Sequence, residues 1–226
     1  MASSLVASLD RIGQVQSHLS GAVALLLGIV AAAAVLPGLW VVTHHLTVIA
    51  HEAAHATFGS AIGGTIGGIR LLRSAEGATA ISGTGALGSF FTFLIGYLGP
   101  SLFGIGAASL IRVGHIVAVL WVALGGLTLV MFVLRRSFGV LTVIVSFLLL
   151  FFVAGFATVG VQVTAAYVIA WFLLVSGLRR ILEIRGGSSG DSDALRRMTK
   201  LPHWFWHGFW LTGTVAGLAF GAILLV

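Results

Sequence analysis

The residues best suited to chemistry lie in one short run, His-Glu-Ala-Ala-His at positions 51–55. Side chains four residues apart on an α-helix project from the same face, so the imidazoles of His51 and His55 can bind one tetrahedral metal ion. Glu52 adjoins the first histidine, where its carboxylate can take a proton from an activated water as general base. The spacing therefore predicts a hydrolytic Zn²⁺ site, with His51 and His55 as ligands.

The same run also admits a structural interpretation, as a polar stripe packed inside a helix bundle. Its three ionisable residues lie in an apolar segment, where each costs about 2.5–3.5 kcal/mol on membrane-insertion scales. Because that cost is high for groups without a role, we prefer the functional interpretation.

A catalytic zinc with an open coordination position needs a third protein ligand. Asp191 and Asp193 are the free acidic candidates, and we expect one of the two to complete the site. The alternative is that either aspartate only caps the helix that continues through Ala194. His203 and His207 are also four residues apart, but they lie among tryptophans, and we interpret them as interfacial residues rather than as further ligands.

The composition is that of a membrane protein. Of the 226 residues, 58% are hydrophobic and only 8% are charged, against roughly 25% charged residues in soluble domains. The absence of cysteine excludes disulfides, thiolate metal sites and cysteine nucleophiles. In a soluble protein the net charge of +6 could indicate nucleic-acid binding. In a membrane protein Lys and Arg instead set the topology, so we expect the lipid bilayer and no nucleic acid as a partner.

Hydropathy predicts an all-α polytopic fold, a single integral membrane domain over residues 1–226 with about seven transmembrane helices and six as the alternative count. The second span is the least apolar, because it contains the histidines and Glu52, and we expect the third to break or kink at Gly96–Pro100. The predicted spans are 20–39, 41–62, 86–110, 114–134, 139–159, 162–182 and 204–225.

Two segments are too polar to span. Residues 63–85 contain two short β-prone runs around a glycine-containing turn, which predicts a membrane-associated hairpin after the second helix. Residues 183–202 form a predicted cytoplasmic loop with a flexible connector at 186–190. The positive-inside rule places the N-terminus, this hairpin and the 135–138 and 183–202 loops in the cytoplasm and the C-terminus outside. His51 and His55 then lie on the same side as the two aspartates.

Three features together resemble the site-2 protease family of intramembrane zinc metalloproteases, the M50 family. They are the 51–55 motif within a membrane helix, a β-prone segment after it, and a late aspartate at a helix start. The compact bacterial M50B-like branch is closer, through Gly-Tyr-Leu-Gly-Pro at 96–100 and the stretches 191–195 and 199–202. The usual Leu-Asp-Gly and Asn-Pro-Asp-Gly forms are absent.

This resemblance implies that His51 and His55 bind zinc with one of the aspartates and that Glu52 is the catalytic base. It also implies a membrane-embedded sheet that pairs with an extended substrate. The residues expected to contact substrate are Ile69, Leu71, Gly96, Tyr97, Gly99 and Pro100.

We therefore expect a zinc metalloendopeptidase of the bacterial plasma membrane that hydrolyses membrane-spanning proteins near the cytoplasmic face. The alternative is a non-proteolytic metal-binding or metal-transport protein, with a relay through the bundle formed by His44, His45, His51, His55, His203 and His207. A structural or chaperone-like protein derived from a protease is a third possibility.

Overall fold

The computed structural model describes residues 2–71, 77–135, 139–184 and 189–226. A single 3₁₀ turn, Arg11–Gly13, follows the first helix. The elements are α1 (Ala2–Asp10), α2 (Gly21–Ala33), α3 (Pro37–Ala61), β1 (Thr65–Leu71), β2 (Gly77–Ser82), α4 (Gly85–Arg112), α5 (Ile116–Val133), α6 (Gly139–Phe156), α7 (Val159–Leu182), α8 (Gly190–Thr199) and α9 (His203–Leu225).

The helical membrane fold is confirmed, whereas the count of seven spans is not. Within the described ranges, α4, α5, α6, α7 and α9 are long and apolar enough to cross a bilayer. The predicted spans 20–39 and 41–62 correspond to α2 and α3, which form a pair bent by 98°. The described helices therefore give five spans, or six if this pair is taken as one. With 13 residues, α2 is about 20 Å long, less than the roughly 30 Å hydrocarbon core.

Of the predicted break or kink in the third span, the break is wrong, because α4 continues from Gly85 to Arg112 through Pro100. Proline removes one backbone hydrogen bond, but the neighbouring helices pack tightly around this point. A Cβ on Gly99 would overlap with Ala54 of α3, and one on Gly177 of α7 would lie 2.6 Å from Ser101 Oγ. We attribute the continuity of α4 to this packing on both sides.

The N-terminal segment lies at the end of the bundle opposite the hairpin. With 28 residues, α4 carries the chain about 42 Å from the hairpin to that end. There the backbone N–H of Gln16 donates to the Gly114 carbonyl at 2.8 Å, and Arg11 donates to Gln162 at 3.1 Å. The prediction that the N-terminus lies with the hairpin is therefore wrong. The prediction fails because it assumed two full spans before the hairpin, whereas α2 and α3 together cross the bundle only once.

The hairpin is present, and β1 and β2 pair antiparallel with Ile69 opposite Thr79 and Thr65 opposite Ser82. Its turn at 72–76 lies outside the described residues, as do residues 185–188 of the expected connector. The outer edge of β1 is partly covered, because the Ile69 carbonyl accepts the N–H of Arg135 at 2.8 Å. Along β2, half-buried and exposed residues alternate, with the half-buried face toward α3.

Candidate metal centre

The two histidines of α3 point their Nε2 atoms at the same place. These atoms are 3.1 Å apart, as expected for side chains four residues apart on a helix. The Nδ1 atom of His55 lies 2.8 Å from the Thr92 carbonyl of α4. Since a carbonyl only accepts, Nδ1 of His55 donates this bond, and its Nε2 lone pair is left for a metal.

Asp191 completes a triangle of ligand atoms from α8. Its Oδ2 lies 3.1 Å from His51 Nε2 and 3.3 Å from His55 Nε2. A tetrahedral zinc with bonds of about 2.0–2.1 Å separates its ligand atoms by roughly 3.3 Å. Oδ2 is buried and accepts no hydrogen bond in the described part of the chain. The donor set, its spacing and this oxygen all fit a zinc ion.

The start of α8 fixes the position of Asp191. Ser189, rather than either aspartate, caps the helix: its side chain accepts the N–H of Ser192 at 3.2 Å, and Ser192 Oγ accepts the N–H of Ser189 at 2.8 Å. The predicted alternative of an aspartate cap is therefore wrong. Burial alone would raise the pKa of Asp191, but the charge of His55 and the contacts with both histidines lower it well below its usual range.

Asp193 lies apart from this cluster. Its side chain is 43% exposed, and its Oδ1 lies 3.3 Å from His203 Nε2. Two residues later on a helix, a side chain points away from the face that carries Asp191. Of the two aspartates that the sequence left open, the structure brings Asp191 to the histidines.

Glu52 is buried beside the triangle, with 3% of the residue exposed. Its Oε1 lies 4.0 Å from His51 Nε2. Its other oxygen, Oε2, accepts a hydrogen bond from Thr79 Oγ1 at 2.6 Å. One oxygen of the carboxylate therefore lies on the His51 side of the ligand triangle, and the other is held by β2.

A cavity of about 860 Å³ opens onto these residues. It is lined by α3, β2, α4, the end of α7 and the start of α8. The lining includes His51, Glu52, His55, Thr79, Tyr97 and Asp191. Tyr97 packs its ring edge-on against His51, with centroids 4.6 Å apart, and is the predicted substrate-contacting residue that the structure places in the cavity wall.

The sequence profile described as Peptidase M50B-like matches residues 22–221. The match covers α2 to α9 and so includes every residue of the metal cluster. This chain belongs to the M50B-like peptidase family. No curated protein and no solved structure gives a significant match. Family membership and the apolar helices confirm the resemblance inferred from the sequence and make the chain an integral membrane protein of metalloprotease kind.

Gly96 and Gly99, two of the residues predicted to contact substrate, make room for the helices of this M50B-like peptidase. A Cβ on Gly96 would overlap with His55 Nε2, and a Cβ on Gly99 would overlap with Ala54. Pro100 is buried in α4. These positions therefore govern how closely α4 approaches the metal-binding face of α3.

Ile69 and Leu71 do not reach the cavity. Both side chains are buried in a core cluster with Val48 and Val143, and β1 lies between β2 and the segment at Leu134. Their role as substrate contacts stays a prediction, which the burial of both side chains does not support. The strand that lines the cavity is β2.

Three other histidines of the proposed relay, His44, His203 and His207, bond elsewhere. His207 Nε2 lies 3.1 Å from the Ile181 carbonyl, and His203 contacts Asp193 and Ser192. His44 bonds the carbonyl of Trp40 in its own helix. Among the described residues, only His51, His55 and Asp191 form a group with metal-binding spacing.

Sequence reasoning missed Thr79 and Gly77, which contact Glu52 from β2. The alternation of β2 places both on one face of the strand. That signal was present in the sequence, but nothing in it showed that this face meets the catalytic helix.

Proposed function

We propose that this protein is a zinc endopeptidase that hydrolyses membrane-spanning substrates near the cytoplasmic face. One observation carries the proposal: three ligand atoms at zinc-like spacing lie beside a buried carboxylate. The separations are 3.1–3.3 Å among His51, His55 and Asp191, and Glu52 Oε1 is 4.0 Å from His51 Nε2.

His51 Nε2, His55 Nε2 and Asp191 Oδ2 would hold the ion. When bound, zinc supplies Lewis acidity toward the scissile carbonyl and lowers the pKa of water. The Thr92 carbonyl keeps the His55 ring in the tautomer and orientation that binding needs. The Asp191 carboxylate supplies the anionic ligand of the set.

Glu52 acts as the general base. Its Oε1, on the His51 side, accepts the proton of the attacking water and passes it to the leaving amine. Because the carboxylate is almost fully buried, little bulk water competes for this proton.

The substrate enters as an extended segment along the cavity. Peptide bonds within a transmembrane helix are shielded by the helix, so the substrate must unwind before hydrolysis. The cavity runs past Gly77, Ala78, Thr79 and Ile81 of β2, and a strand edge can hold an extended peptide through main-chain hydrogen bonds. We therefore assign β2, not β1, as the strand that receives the substrate.

Basic residues support the cytoplasmic position of the site. The described segments at the hairpin end include Arg70, Arg135 and Arg197, whereas Arg11 and Arg112 lie at the opposite end. By the positive-inside rule, the hairpin end faces the cytoplasm of the bacterial cell, and both termini lie outside.

The test is metal removal and reconstitution in proteoliposomes that contain a membrane-spanning substrate peptide. Chelation should abolish cleavage, and Zn²⁺ should restore it. Cleavage that survives complete removal of metal contradicts the proposal. Zinc flux through the vesicle membrane without any cleavage would instead favour the transport alternative.

A further inference from the structure

The carboxylate of Glu52 is held by the hairpin as well as by its own helix. Thr79 Oγ1 donates to Glu52 Oε2 at 2.6 Å. A Cβ on Gly77, two residues earlier in β2, would overlap with Glu52 Oε1. β2 therefore donates a hydrogen bond from Thr79 to one oxygen of the carboxylate and leaves space at Gly77 for the other oxygen.

This arrangement restricts the rotation of the carboxylate. The terminal torsion of a glutamate is broad and roughly two-fold, so a free carboxylate samples many orientations. A charge-assisted hydrogen bond to Oε2 selects one of them. In that orientation Oε1 is the oxygen on the side of His51, where the attacking water must give up its proton.

The strand is itself fixed against the catalytic helix. Ile81 packs against Gly59 of α3, so closely that a Cβ on Gly59 would lie 2.8 Å from Ile81 Cδ1. The absence of a side chain at Gly59 thus makes room for β2 near the end of α3. Gly77, Thr79 and Ile81 share one face of β2. A shift of the strand by one residue would turn Thr79 away from Glu52.

We propose that Thr79 is a positioning residue that orients Glu52 for proton transfer, and that β2 thereby couples the substrate-binding hairpin to the catalytic base. The proposal deepens the function proposed above and rests on it. Thr79 touches neither the metal ligands nor the scissile bond in this scheme, and it acts only through Glu52.

A purely structural role for Thr79 predicts different behaviour. Its hydroxyl also lies 3.4 Å from the Glu52 main-chain carbonyl, so it could simply dock β2 on α3. In that case its loss would loosen the hairpin and weaken substrate binding. A positioning role instead lowers kcat and leaves KM nearly unchanged.

The kinetic test compares Thr79→Val with Thr79→Ser and with Thr65→Val, a matched control on the exposed face of β1. We expect kcat of Thr79→Val to fall about 10- to 100-fold, the effect of losing a hydrogen bond to a charged group. Thr79→Ser should recover most of that loss, and Thr65→Val should match the wild type. Wild-type kcat in Thr79→Val, or no recovery in Thr79→Ser, overturns the proposal.

A second test needs no activity. The glutamates of this chain are Glu52, Glu76 and Glu183, so labelling with ¹³C at the glutamate carboxyl gives few signals, and Glu52→Gln assigns the relevant one. Thr79→Val should shift the Glu52 signal, and Thr65→Val should leave it in place. An unchanged Glu52 signal in Thr79→Val means that the hydrogen bond is absent, which overturns the proposal.

The two proposals fail in different ways. If Glu52→Gln cleaves at the wild-type rate, the proposed function of the site is wrong. If Glu52→Gln is inactive while Thr79→Val keeps both wild-type kcat and the wild-type Glu52 signal, only the positioning role is wrong.

Discussion

Asp191 Oδ2 lies 3.1 Å from His51 Nε2, a contact that closes the metal site between the first turn of α8 and the middle of α3. Neither helix has a complete ligand set. The site therefore depends on the packing of both helices against α4. Substitutions at the ligands and at their neighbours should therefore affect zinc binding and catalysis to different extents.

The two aspartates of α8 should differ in their effect on zinc. Asp191→Ala removes a ligand atom and should lose most of the bound metal, whereas Asp193→Ala removes a side chain that contacts His203 and lies outside the ligand triangle, so it should retain the metal. Elemental analysis of both purified variants measures this. Equal zinc content in the two proteins would show that Asp191 is not the third ligand.

Gly96→Ala should weaken zinc binding. The added methyl group would overlap with His55 Nε2, and disturbing the orientation of a metal-binding histidine lowers metal affinity by about 10- to 100-fold. Gly106→Ala is a matched control in the same helix, because a Cβ there has no neighbour within 4 Å. Competition with a zinc chelator gives both affinities, and identical values would contradict the packing described at the site.

Both termini should lie on the side of the membrane opposite the hairpin. The chain has no cysteine, so single cysteines report sidedness directly. Gly13→Cys, at an open position, should react with an impermeant thiol reagent from the same side as Val226→Cys. Arg197→Cys should react from the other side. If Gly13→Cys reacts from the same side as Arg197→Cys, the N-terminus lies on the side of the hairpin, as the charge pattern of the sequence predicts. That result would contradict the structure.

Gln162→Leu should destabilise the fold without affecting the metal site. Gln162 is fully buried and donates to Ser8 Oγ at 3.0 Å and to the Ala154 carbonyl at 2.6 Å. Loss of these bonds should cost about 1–3 kcal/mol. Thermal unfolding in detergent measures the change, with the exposed Thr164→Val as control. A wild-type melting temperature would show that these bonds contribute little.

The sequence alone was sufficient to predict the metal motif, because the spacing of His51 and His55 on a helix determines that their side chains converge. It narrowed the third ligand to two residues but did not separate Asp191 from Asp193. The choice depends on the helix cap at Ser189 and on the rotation of α8, which are tertiary features.

Hydropathy and charge were less reliable for topology. Hydropathy predicted two separate spans for α2 and α3, because it counts apolar segments and does not detect the 98° bend between the two helices. Arg11 fitted the positive-inside pattern only under that count. Its bond to Gln162 is a contact between distant elements that no local pattern reveals. The same holds for the contact of Thr79 with Glu52.

The most direct test of the account is cleavage of a membrane-spanning peptide by Glu52→Gln protein that retains its zinc. Glutamine keeps the shape of the side chain but cannot accept the proton, so wild-type zinc content with cleavage reduced by at least about 100-fold is expected. Cleavage at the wild-type rate by the zinc-loaded variant would contradict the assignment of Glu52 as the base and, with it, the proposed mechanism.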